Sequence, residues 1–557
     1  MSTFRCVVRL VTVLIPGILP GTLPAEEADL IVRGAIVHTV NTNQPQAEAF
    51  AVKDGKFAAA GTVAEMEAWH GPKTTVLDLP GRAVVPGFND AHLHPQALYP
   101  EDAPWASVAC GPPDIKTMDD LIAALKKKAV HTPPGQWIIG SRYQETKLGR
   151  HPSAVDLDRA STQHPIAISH SSGHLTAVNS AALALGNVTK DAPDPPGGKI
   201  DRDTEGKPTG VLRESAAGLV RSRGPERPEA PREEAVRGYR ECFRRYLSRG
   251  ITSAGVAGTN RNTLEFLSAA RTPEVAVRLN VMFTESSLIE VSRQRESHGY
   301  DDTAIRVGAI KLFHGSSLSG QTCWLSKPYA GRPDSFGVPP RRSQEELNEL
   351  ILRLHRDGLQ ACIHSNGDRE IGMVVTAIEA AQKAVPRPDA RHRIEHGSIL
   401  TQELLDRIRA ASIIVVPHCY FYEHGDKLEA YGPDRWEWLH PWRRLIDAGI
   451  SVAGHSDSPV ATADPMLCIH DMMNRTSAEG KTYGASQRVT FAEALRVWTV
   501  GGAYASFEET RKGSIEPGKL ADFVVLAADP SQTPRERVKD IGVEQTWVGG
   551  KKVWSSR

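Results

Sequence analysis

Two histidines stand two residues apart in Val84-Val85-Pro86-Gly87-Phe88-Asn89-Asp90-Ala91-His92-Leu93-His94, just past an apolar pair that reads as a buried strand broken by Pro86-Gly87. In extended backbone that spacing points both imidazoles to one face, where two neutral nitrogens can bind the same divalent ion. A His-x-His pair is also common as a solvated pair, so the reading depends on what else the chain supplies. It supplies Lys311 at the end of one apolar run, His364 and His396 each just after another, and Asp457 after a fourth. Imidazoles with a carboxylate suit Zn2+ first, with Fe, Mn or Ni left open, as one ion or two. The bland alternatives are a hydrogen-bonded loop histidine for His364 or His396 and a helix N-cap for Asp457. Lys311 as an ammonium cannot ligate a cation, whereas carboxylated by CO2 it could bridge two. Singly each candidate is modest, and their common order along one pattern is what gives them weight.

The elements that must position these groups are eight apolar segments, at 84–88, 251–256, 277–283, 305–313, 359–363, 392–395, 413–416 and 450–453, separated by helical patterns. Between the fourth and fifth, Ser343-x-x-Glu346 is a capping box, Leu347, Leu350, Ile351 and Leu354 form one stripe, and Gly358 closes the helix. After the fifth, Asp368 can cap a helix with the stripe Ile371, Val374, Val375 and Ile378. Eight strand-plus-helix units predict an α/β fold, a (β/α)8 TIM-like barrel, with chemistry just past the strand ends. Alternating apolar runs at 29–37, 51–60, 520–526 and 545–554 predict a small composite β-sandwich built from both termini. The expected division is a signal peptide at 1–25, sandwich at 26–84, barrel at 85–505 and sandwich again at 506–557. Residues from about 96 to 227 do not fit the repeat; with a helical stretch at 119–129 and a Pro/Gly-rich stretch at 191–198, they read as an insertion roofing the site.

Lys plus Arg and Asp plus Glu both number 66 in 557 residues, so nothing in the charge suggests nucleic acid or an acidic lipid surface, and a small-molecule substrate is the default. Arg5 and Arg9 precede the apolar run 10–15, and a small residue follows at Ala25, which reads as a secretory signal to the periplasm or exterior. The alternatives are an uncleaved anchor or a misassigned start, the latter leaving the protein cytoplasmic. Pro16 and Pro20 make the stretch a poor membrane span, so no stable membrane association is expected after cleavage. Cys110, Cys242, Cys323, Cys362, Cys419 and Cys468 have no CxxC spacing and suggest neither a zinc knuckle nor a disulfide framework. A homo-oligomer is left open.

The segments Pro86 to His94, Gly308-Ala309-Ile310-Lys311-Leu312-Phe313-His314-Gly315-Ser316, His364-Ser365-Asn366-Gly367-Asp368, Arg393-Ile394-Glu395-His396 and Ser456-Asp457-Ser458-Pro459 resemble the signature segments of the metal-dependent amidohydrolase superfamily. The nearest branch is the amidohydrolase-3 group, YtcJ-like and N-substituted formamide deformylase-like, and the run 512–526 is similar to the way this superfamily re-enters its β-domain. The resemblance implies a metal centre of His92, His94, His364, His396 and Asp457, with Lys311 entering only through its fourth-strand position. It implies hydrolysis of an amide, N-formyl, N-acyl or cyclic-amide C–N bond by a metal-activated water, with Asp457 as general base. His174, in Ser171-Ser172-Gly173-His174, resembles a roof motif of the branch and is the candidate substrate contact, or else a structural loop histidine. Trp324, Tyr329 and the 436–442 tryptophans could wall an apolar pocket or pack on the barrel. Two departures stand out: His314 replaces the Asp of the branch's Asp-Gly-Ser turn, and His418-Cys419 follows Pro417, where either could shift substrate preference or add metal contacts. The rival readings are an ester or phosphoester hydrolase on the same barrel and a non-catalytic binding protein.

Overall fold

Seven parallel strands form the centre of the fold in the computed structural model, which describes residues 27–112, 114–287 and 304–556. The leader-like stretch at 1–25 lies outside the described residues. In chain order the strands are Phe88–Leu93, Ile251–Thr259, Arg278–Thr284, Ile305–Phe313, Gln360–Ser365, Arg393–His396 and Ile414–Val416, each hydrogen-bonded to the next. Phe88–Leu93 and Gln360–Ser365 are buried at every position, as expected of parallel strands covered by helices outside and packed side chains inside.

The eighth segment closes the ring without forming a regular strand. Val415 N–H donates to Ser451 O at 3.1 Å on one side, and Ala91 N–H donates to Gly454 O at 3.0 Å on the other. The result is a nearly closed TIM-like barrel. Gly255 permits the close approach of the first two strands, since a Cβ there would lie 2.0 Å from Ala91 O.

Two boundaries differ from the sequence expectation. Val84 and Val85 lie in the strand Ala83–Pro86, which pairs with Ile36–Val37 and with Phe523–Leu526 and so belongs to the terminal sheet. Only Gly87 separates it from the first barrel strand, so His92 sits inside that strand instead of after it. The outer helices follow their stripes: Gln344–Arg356 is capped by Ser343 and Glu346, and Asp368–Ala384 buries Ile371, Val374, Val375 and Ile378. The N-cap of the second is Gly367; the Asp368 carboxylate instead accepts the Ser326 N–H at 2.9 Å.

Strands from both ends of the chain join in one eight-stranded sheet, with Phe523–Leu526 inserted between Ala83–Pro86 and Val543–Val548. Phe50 meets both Phe57 and Phe523 edge-on in its core. The stretch between the first two barrel strands builds a six-stranded sheet of its own, a feature with no clear signal in its Gly/Pro-rich sequence. Its helix Met118–Val130 matches the expected helical stretch. This inserted layer is tied to the barrel by Lys427, whose Nζ lies 2.5 Å from Glu145 Oε1, while His170 Nε2 lies 2.6 Å from Glu145 Oε2.

Candidate active site

The parallel register places the C-terminal ends of the strands together, and with them His92, His94, Lys311, His364, His396 and Asp457. His92 and His94 flank Leu93 at the end of the first strand, their rings 5.2 Å apart. Asp457 is held beside them by backbone pairing, since its N–H donates to His92 O at 3.1 Å and His94 N–H donates to Ser458 O at 2.7 Å. Both Asp457 and His396 adopt positive φ, 55° and 71°, a conformation that L-residues rarely take and that concentrates at functional sites.

Hydrogen bonds fix which imidazole nitrogens face the centre. His94 Nδ1 lies 2.9 Å from the carbonyl of Ala257 and must donate to it, which leaves Nε2 bare. His92 Nδ1 lies 2.5 Å from Glu395 Oε2, so its Nε2 likewise presents a lone pair. These nitrogens stand 3.2 and 3.4 Å from Asp457 Oδ1, a buried oxygen with no hydrogen-bond partner among the described residues. Of the three acceptors, His92 Nε2 is met by the Lys311 ammonium, while His94 Nε2 and Asp457 Oδ1 face one another with no proton between them and repel unless a cation sits there. His, His and Asp donors at this spacing fit a divalent metal.

Lys311 is the one donor reaching the cluster, its Nζ 3.0 Å from His92 Nε2. Although a strand lysine usually reaches solvent, this one is buried, and that burial pulls its pKa down to about 8. Burial opposes charge on Asp457, but the imidazoles of His396, His94 and His92 hold its carboxyl well below the usual carboxylate range. Burial pushes His396 and His364 well below the ordinary histidine value, keeping them neutral.

His364 and His396 pack edge to face at 4.6 Å, and His174 stacks on His364 at 4.8 Å. His174 hangs from the inserted layer, its Nδ1 2.7 Å from Glu214 Oε2, and although burial works against its charge, Glu214 raises its pKa. With Asp457, Ser317, Ser319 and Tyr420 these histidines line a cavity of about 30 Å³, space for little more than a pair of water molecules.

Several supporting groups were not singled out from the sequence. Glu395 is clamped by Arg393 at 2.7 and 2.8 Å, and the guanidinium also donates to Ala91 O at 3.0 Å. Asp90 accepts the Ser456 hydroxyl at 2.5 Å and the His92 N–H at 3.2 Å, tying the first strand to the Asp457 loop. His418, flagged as a departure, lines the cavity. His314 does not: its N–H donates to His364 O at 3.2 Å, its buried ring nitrogens have no hydrogen-bond partner among the described residues, and burial pulls its pKa down to about 4. The proposed aromatic wall is also absent from the cavity lining. Tyr329 and Trp436 pack with Tyr431 and Tyr483, Trp442 lies in the barrel core, and Trp324 carries the Arg369 guanidinium at 3.8 Å.

A sequence model of the amidohydrolase family matches residues 75–554. The chain is 30% identical over 539 residues to the N-substituted formamide deformylase of Arthrobacter pascens, covering 94% of this chain and 97% of that one. It is 28% identical over 541 residues to the putative amidohydrolase YtcJ of Bacillus subtilis, covering 94% and 99%. Among solved structures, an uncharacterized metal-dependent hydrolase from Pyrococcus horikoshii aligns with a TM-score of 0.67 at 23% identity, over 91% of this chain and 99% of that one, a likeness of fold.

Proposed function

The chain belongs to the amidohydrolase family, and from that premise we propose that it is a metal-dependent hydrolase cleaving the C–N bond of an amide, N-formyl, N-acyl or cyclic-amide small molecule. The observation that carries this reading is the convergence of His92 Nε2 and His94 Nε2 on the Asp457 oxygen that has no hydrogen-bond partner among the described residues. The alignment with a deformylase covers 94% of the chain, and the cavity of about 30 Å³ suits a formyl or similarly small acyl group.

His92, His94 and Asp457 would hold the cation, with His396, His364 and, if carboxylated, Lys311 completing its surroundings. Zn2+ is the ion that this nitrogen-and-oxygen donor set suits best. A cation bound there supplies Lewis acidity, polarising the scissile carbonyl and lowering the pKa of a water to about 7. Asp457 accepts the proton of the attacking water and passes it to the leaving nitrogen. His174, whose pKa Glu214 raises, is placed to donate a hydrogen bond as an imidazolium to the substrate carbonyl oxygen and to stabilise the charge that develops there. Tyr420 and the serines of the cavity orient the acyl group, and the inserted layer excludes bulk water. The leader-like start of the chain supports export to the periplasm.

The test is elemental analysis of the purified protein, combined with turnover of a panel of N-formyl, N-acyl and cyclic amides beside matched esters and phosphoesters. Bound divalent metal with turnover confined to the C–N compounds is expected. Protein without metal, or turnover of phosphoesters alone, would overturn the proposal.

A further inference from the structure

The cavity of about 30 Å³ beside Asp457 has space for an acyl group and little else, so the amine half of a substrate must lie outside it. Ser319 lines both this cavity and a second, of about 510 Å³, between the inserted layer and the loop after the fourth barrel strand. A chamber of that size is ordinary for a small-molecule site.

Its polar wall follows from strand register. In the hairpin of Gly198–Arg202 and Pro208–Glu214, Lys199 pairs with Arg213 and Ile200 with Leu212. Ile200 and Leu212 turn into the core of the inserted layer, and alternation sends Lys199, Asp201 and Arg213 to the opposite face, onto the chamber. Asp201 accepts from Arg213 Nε and Nη2 at 2.7 Å each, so these two charges cancel. The other acid of the chamber, Glu145, is engaged by Lys427 and His170. Lys199, Arg202 and Arg332 remain, and none of them has an ion-pair partner among the described residues. Arg202 Nη2 donates to Ala192 O, while its buried Nη1 has no hydrogen-bond partner among the described residues. The Arg332 guanidinium lies over the Tyr329 ring at 4.7 Å and donates to Gln321 Oε1 at 2.7 Å. Both arginines are thus held before any ligand arrives, and like charges around a cleft raise its affinity for an anion.

We infer that this second chamber receives the leaving-amine half of the substrate, and that Lys199, Arg202 and Arg332 select an amine carrying a carboxylate. The inference rests on the C–N hydrolysis proposed above. No lysine or arginine among the described residues lines the small cavity, so the carboxylate meets its partners only beyond Ser319, several bonds from the scissile nitrogen. An N-formyl or small N-acyl derivative of an ω-amino acid meets that condition. The carboxylate of an α-amino acid would stay on the Asp457 side, away from these cations. The planar guanidinium forks of the two arginines match the two oxygens of a carboxylate.

The experiment uses metal-replete full-length protein and the N-formyl derivatives of glycine, 4-aminobutyrate and 6-aminohexanoate, each beside its carboxamide. The ratio of kcat/KM for carboxylate over carboxamide is expected near one for glycine and about 10- to 100-fold for the longer members, as for hydrogen bonds to charged groups. Lys199 and Arg332 are exposed, and the Lys199→Met, Arg332→Met double variant should bring the ratio of the longer members toward one, chiefly through KM. The ratio is taken within each protein, so a loss of folded material cancels. A ratio near one throughout, a preference greatest for glycine, or an undiminished ratio in the double variant would overturn the inference and leave C–N hydrolysis standing. No turnover of any member would overturn the proposed function and the inference with it.

Discussion

Glu395 Oε2 lies 2.5 Å from His92 Nδ1, and neither side chain is reached by solvent. The carboxylate accepts the Nδ1 hydrogen bond and so turns the Nε2 lone pair toward Lys311 and Asp457. Burial disfavours a charged Glu395, yet Arg393 and His92 hold it below the usual carboxylate range. One line of contacts therefore runs from Arg393 through Glu395 and His92 to the candidate base.

Glu395→Gln should weaken metal binding about 10- to 100-fold, the usual effect of losing the partner that orients a ligating histidine. Competition against a graded series of chelators measures it, and unchanged affinity would show that His92 needs no such support. Arg393, left without its carboxylate in the interior, should also cost the fold about 3–5 kcal/mol, read from denaturant melts.

Asp457→Asn keeps an oxygen donor in place but cannot accept a proton at neutral pH. Metal content should stay nearly intact while turnover falls about 10²- to 10⁴-fold, the range for a lost general base. Replacing both His92 and His94 by alanine should release the metal instead. Full activity in Asp457→Asn would remove the proposed base.

Glu214 accepts from both His174 and Thr322, at 2.7 and 2.5 Å, and so positions the imidazole above the cavity. Glu214→Gln should lower kcat/KM about 10- to 100-fold, since a hydrogen bond to a charged group contributes roughly 1.5–3 kcal/mol. Metal content should not change. If kcat/KM is unaffected, His174 does not act on the substrate.

The contact of the inserted layer with the barrel should loosen in acid. Burial opposes charge on Glu145, but His170 and Lys427 lower its pKa below the ordinary 4.5, so its contribution is complete above that value and is lost as pH falls through and below it. Burial lowers the pKa of His170 below 6.5, so the unfolded chain takes that proton first and the same loss begins near 6.5. Hydrogen exchange across the Ile166–His170 strand should therefore speed up from pH 6.5 downward. Lys427→Met should lower stability at pH 7 by about 3–5 kcal/mol, as for any buried pair deprived of one partner, and reduce the further loss below pH 4.5. Exchange rates that, corrected for intrinsic chemistry, do not change between pH 7 and 4 would contradict this.

The barrel and most of the site were legible because their signals are local. His92 and His94 share a face by spacing alone, and the stripes of Gln344–Arg356 and Asp368–Ala384 fix which way those helices pack. What escaped depends on contacts distant in sequence. Glu395 reaches His92 across 303 residues, and the trace in the chain is the alternation of Arg393 and Glu395 in a short strand buried at every position, two charges that can be buried only together. The strand at 84–85 reads from sequence as part of the barrel because a break at Pro86-Gly87 marks the end of a strand without saying which sheet it has left. The six-stranded insertion sheet stayed hidden because its strands are short and separated by turns that also read as loop.

The sheet shared by the two ends has a consequence for how the polypeptide is made. Leu30, Val32, Phe50 and Phe57 emerge early from the ribosome, while Phe523, which covers them, is added almost five hundred residues after Leu30. Until then an apolar surface with unpaired edges stays uncovered, a condition that invites association with other chains. Translation halted before that residue would leave a barrel without its clasp, and holding factors should be found on nascent chains until the last strands arrive.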